Sequence, residues 1–76
     1  MTNCCCYPCA PCGNQVFIGQ VRAAIADELG AVAMYSQMAN MVDSLALKAL
    51  IMGIAGDEYG HARTWMTILA LCGYCS

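Results

Sequence analysis

The sequence predicts an all-α fold: a two-helix antiparallel hairpin preceded by a non-helical, cysteine-rich N-terminal arm. Three observations predict it. Apolar residues recur at steps of three and four along two long stretches, Asp43-Ser44 interrupts the pattern once, and two glutamates sit inside the apolar stripes at equal distances from that interruption.

Residues 1–13 (MTNCCCYPCAPCG) contain Pro8, Pro11 and Gly13 and show no periodicity, so they read as a connector arm separate from the helical unit at 14–76. Asn14 is a suitable N-cap. Beyond it Ile18, Val21, Ile25, Glu28, Val32, Tyr35, Ala39 and Val42 lay one stripe along a helix expected over about 15–42, roughly 42 Å long. Asp43-Ser44 supplies a turn and a fresh N-cap. A second helix over about 44–72 then carries Leu47, Ile51, Ile54, Glu58, His61, Trp65, Ile68 and Leu71, with Gly73 as its stop and Tyr74, Cys75 and Ser76 trailing. So short a turn forces the helices antiparallel. Glu28 and Glu58 each lie 15 positions from Asp43, which sets them at one height along the hairpin, and both cysteine groups fall at the same pole.

Composition bounds the function classes. Of the 76 residues 61% are hydrophobic and 11% charged, whereas soluble domains average roughly 25% charged. A chain this short rarely buries enough core to stand without disulfides, metal or association. Further apolar residues widen both stripes, Met52, Ala55, Tyr59, Ala62, Met66 and Leu69 on the second helix and Ala24, Ala31, Met34, Met38 and Met41 on the first. Helices apolar nearly all round are buried on more than one side, so the chain is expected to associate with itself. Gly53, Gly56 and Gly60 add small residues that suit close helix approach or are simply tolerated. The net charge of −2, with only Arg22, Lys48 and Arg63 as scattered cations, argues against a nucleic-acid partner. No stretch of about 18 residues is apolar enough for a membrane span. Nor does Met1-Thr2-Asn3-Cys4 begin a secretory signal, so synthesis in the cytoplasm is expected.

Glu58 and His61 form Glu-x-x-His in the second stripe, and Glu28 faces them from the first. Carboxylates in an apolar stripe are costly unless paired or metal-bound. Glu from one helix and Glu-x-x-His from its neighbour make half the ligand set of dinuclear carboxylate centres in four-helix bundles. Glu28, Glu58 and His61 are therefore candidate metal ligands, completed by a second chain. A buried, hydrogen-bonded Glu–His cluster is the plainer alternative. Tyr35, two stripe steps beyond Glu28, is a candidate hydrogen-bond donor to the site or a core aromatic.

The segments Glu28-Leu29-Gly30-Ala31-Val32-Ala33-Met34-Tyr35 and Asp57-Glu58-Tyr59-Gly60-His61-Ala62 resemble the ferritin-like superfamily, in particular rubrerythrin-like proteins and two-helix encapsulated ferritins. The likeness covers roughly residues 15–72. It implies a hairpin that dimerises into a ferritin-like four-helix bundle. It also implies di-iron, or another dinuclear metal, held between chains by Glu28, Glu58 and His61 of each, with ferroxidase-type activity. This chain lacks the charged outer surface of those ferritins and shows no acidic run for iron entry.

Seven cysteines are an odd number, and adjacent Cys4, Cys5 and Cys6 are poorly placed to pair within one small arm. Together with Cys9, Cys12, Cys72 and Cys75 they are candidate interchain cross-links. The arm is similar in concept to the cysteine-bearing connectors of bacterial spore appendage fibres. A competing reading gives Cys9, Cys12, Cys72 and Cys75, two C-x-x-C pairs at one pole, a four-cysteine iron or zinc site similar to rubredoxin and zinc-ribbon knuckles, while a redox-active C-x-x-C ranks behind both. The expected function is a self-assembling structural subunit of a disulfide-crosslinked homopolymer, a fibre, appendage or coat, that retains a dinuclear metal site. Such a product ends in an oxidising place, at a spore or cell surface. The alternative is a di-iron ferroxidase or redox protein.

Overall fold

The structure, a computed structural model, describes residues 15–73. The arm at 1–13, the cap expected at Asn14 and the tail at 74–76 lie outside the described residues. Two helices make up the fold, α1 at Gln15–Ala39 and α2 at Leu45–Gly73, and there is no strand among the described residues. With 25 and 29 residues they are about 37 and 43 Å long.

Helix α1 ends three residues before the expected Val42. Its last turn tightens: the Asn40 amide, 3.3 Å from the Ser36 carbonyl of the regular ladder, also donates to Gln37 at 3.0 Å, and the Met41 amide donates to Met38 at 3.0 Å. No glycine cap is used, since no described residue has positive φ. The Lys48 ammonium, reaching back from α2, donates to the Ala39 carbonyl at 2.9 Å and covers an end that sequence periodicity extended too far. Ser44 starts α2 as expected: its hydroxyl oxygen accepts from the Leu47 amide at 3.1 Å and its carbonyl from the Lys48 amide at 2.9 Å.

All eight stripe positions expected on the first helix are buried or half-buried, from Ile18 through Val42. On α2 the seam is turned relative to expectation. The covered positions are Lys48, Ile51, Ala55, Glu58, Ala62, Trp65, Leu69 and Cys72, with the expected Ile68 half-buried at their edge, while Leu47, Ile54, His61 and Leu71 are exposed. The physical reason is size: Ala55 and Ala62 are fully covered and let the backbones approach, whereas Ile54 and His61 would hold them apart. The glycines play no such part within the hairpin, because a Cβ at Gly53, Gly56 or Gly60 would meet nothing within 4 Å.

Each residue of a helix is turned about 100° from the one before. In antiparallel helices this rotation has opposite sense seen from one end, so residues just before a seam position face the same side of the hairpin on both helices. This side is termed the front, and residues just after a seam position face the back. The front carries Met34, Met38, Leu47, Ile54, His61 and Leu71; the back carries Leu29, Met52, Tyr59 and Met66. Except for His61 these are large apolar side chains, and all are exposed. Val21 is the largest side chain fully buried, so little of the hydrophobicity is spent inside the hairpin.

Candidate metal centre

Three side chains converge half-way along the hairpin. Glu28 from α1 and Glu58 from α2 occupy facing seam positions, and His61 stands one turn along α2 at the front edge of the seam. The His61 Nδ1 lies 3.7 Å from Glu28 Oε1 and 3.6 Å from Glu58 Oε1. These separations exceed a hydrogen bond and fall within ion-pair range. The glutamate side chains are 21% and 25% exposed and the imidazole 63%, so the acids form the floor of the site and the histidine its open lip.

The two carboxyls act on each other. A hydrogen bond with Glu28 raises the Glu58 pKa above its ordinary 4.5, with partial burial and the Glu28 charge adding to the rise and His61 opposing it. One ligand atom from each residue lies within 4.8 Å of the others. Ligands held about 2.1 Å from a tetrahedral metal are about 3.4 Å apart, so the observed 3.6 and 3.7 Å separations need little adjustment. Two carboxylates and one imidazole would suit iron(II), manganese or zinc. The donor set therefore fits a metal ion.

Comparison with family models, curated proteins and solved structures gives no match.

The structure brings together all three expected ligands and corrects the standing of one, because His61 projects to the exposed front instead of into the seam. Tyr35 lies on the α1 seam, half-buried, seven residues beyond Glu28 and therefore about 10 Å away along the helix. No hydrogen bond joins its hydroxyl to the three ligands. Cys72, half-buried near the pole where α1 begins, is the one cysteine among the described residues, and its sulfur is disulfide-bonded. In that state it offers no thiolate to a metal. Cys4, Cys5, Cys6, Cys9, Cys12 and Cys75 lie outside the described residues. No helix of the structure is long and apolar enough to cross a membrane.

Sequence reasoning missed Lys48 as the end cap of α1, and it placed Ala62 in a second apolar stripe and not in the seam beside His61. A cation one turn into the second helix is the only cue that pointed to that cap.

Proposed function

We propose that the chain is a self-assembling structural subunit whose hairpins pair through their apolar faces and are then locked by disulfides into a homopolymer. One observation carries this reading: fourteen large apolar side chains are exposed among the described residues 15–73. Exposed apolar surface on both sides of a small hairpin marks an interaction surface. Front-to-front pairing of two hairpins completes a ferritin-like four-helix bundle and brings two sets of Glu28, Glu58 and His61 together around a dinuclear metal. Binding that exists only in the assembled state stabilises it by mass action. Cysteines of the arm and tail supply the covalent links, in keeping with an oxidising final location at a spore or cell surface.

Two experiments test this. Protein in SDS with free thiols blocked is expected to run as a high-mass ladder that collapses to about 8 kDa, the mass of one chain, only on reduction. A clean monomer band without reductant overturns the polymer. Glu58→Ala is expected to lower bound metal and thermal stability together, and unchanged metal content overturns the metal role.

The open lip at His61 favours a second reading, in which the same six ligands of two chains bind iron(II) as substrate and pass its electrons to dioxygen. Its test is the rate of iron(II) oxidation by the intact chain, which Glu58→Ala then abolishes.

A further inference from the structure

The two faces of the hairpin carry opposite charge. On α1, Asp27 comes immediately before the seam residue Glu28, and Arg22 immediately after the seam residue Val21. On α2, Asp57 comes immediately before Glu58, and Arg63 immediately after Ala62. Both aspartates are therefore turned toward the front and both arginines toward the back. All four are exposed, and none forms an ion pair among the described residues. Other charges are engaged or stand apart: Lys48 caps α1, Glu28 and Glu58 belong to the candidate metal centre, and Asp43 sits in the turn.

Register along the axis makes the two patches fit. Arg22 lies five residues before Asp27, and Arg63 six residues after Asp57. Because the helices are antiparallel, both arginines are displaced from the aspartates toward the same pole, the one away from the turn. At 1.5 Å per residue the displacements are about 7.5 and 9 Å. When the back of one hairpin lies on the front of a parallel neighbour, one slide of about 8 Å sets Arg22 over Asp27 and Arg63 over Asp57 together. Had the arginines been displaced toward opposite poles, no single slide could satisfy both.

Resting on the self-association reading, we propose that hairpins stack front to back in parallel. Arg22 and Arg63 of one copy pair with Asp27 and Asp57 of the next, and the back residues Leu29, Met52, Tyr59 and Met66 cover the neighbour's apolar front. The occupant of the basic back is thus a second copy of this chain. Such a contact is heterologous: every added copy offers a fresh front and a fresh back, so the stack is open-ended and polar. Complementary charge sets its direction and register, and the apolar surface supplies most of the cohesion. Front-to-front pairing, by contrast, puts the aspartates of two chains at the level of their glutamates, with His61 as the only nearby base. A metal shared by two triads provides the missing positive charge, so metal binding and stacking compete for the front.

The test uses the full chain with thiols blocked, in chelator, followed by sedimentation at low and high salt. Wild type is expected to associate at low salt and to lose fast-sedimenting material as salt rises. Arg22→Glu/Arg63→Glu, acidic on both faces, and Asp27→Arg/Asp57→Arg, basic on both, are each expected to lose association while keeping wild-type helicity by circular dichroism. An equimolar mixture of the two is expected to regain it. Variants that associate as wild type does, or a mixture no different from its parts, overturn front-to-back stacking and leave self-assembly standing. A wild type that is monomeric at every salt concentration overturns both. If the arginine variant loses only binding to phosphatidylserine vesicles, the basic back is a lipid-binding surface and the stacking contact falls.

Discussion

Within the Glu28–Glu58–His61 cluster, the titration of Glu58 is shifted. Its carboxyl pKa is raised in the folded hairpin, chiefly by the hydrogen bond with Glu28. A raised acid favours the folded state while protonated, so this contribution is fully present below the ordinary value of 4.5 and is lost as pH climbs through the raised value. Metal-free protein is therefore expected to melt at a higher temperature near pH 4 than near pH 7. Glu58→Gln, which keeps a hydrogen-bonding group without the titration, is expected to flatten that profile. A thermal melt series on both chains checks the sign. Added metal is expected to reverse the trend, because carboxylate and imidazole ligands bind an ion in their deprotonated forms, which grow as pH rises.

Helix pairing rests on small residues. Ala55 and Ala62 are the covered positions of the α2 seam, and a larger side chain there must push the helices apart. Ala62→Leu is expected to cost about 1–3 kcal/mol and, beside His61, to weaken metal binding as well. Gly56→Ala has open space around it and is expected to stabilise α2 by about 0.5–1 kcal/mol. Chemical denaturation of the two variants separates these opposite signs. Ser44→Ala, which removes the α2 cap, is expected to cost about 1 kcal/mol. These contrasts also explain what the sequence could tell. On α1 Arg22, Asp27 and other polar residues break the apolar pattern beside the stripe, so one phase of the period stands out, and all eight positions proved buried or half-buried. On α2 nearly every phase is apolar, and the pattern alone could not tell Ile54 and His61 from Ala55 and Ala62. Spacing brought Glu28, Glu58 and His61 to one level, since helical rise is fixed. The openness of His61 was hidden, since it depends on which phase packs.

At the scale of the whole molecule, the hairpin is a thin rod with more apolar surface outside than its seam can use. If stacking and metal-bridged pairing compete for the front, manganese or zinc added to a thiol-blocked stack is expected to convert open-ended assemblies into pairs of fixed mass. Light scattering before and after chelation would show this, and a stack indifferent to metal would separate the two uses of the front.

The tether from Lys48 to the end of α1 has a practical corollary. Lys48 is the only lysine of the chain, and with Arg22 and Arg63 it completes the set of bonds that trypsin recognises. All three positions lie within regular helix. Proteases need a locally unfolded strand of chain, so the intact rod presents none of its cleavage points in a cuttable form. Digestion by trypsin consequently becomes a clock for hairpin opening. A material assembled from this subunit would resist trypsin-like enzymes through the regularity of its backbone, before any cross-link adds to its durability.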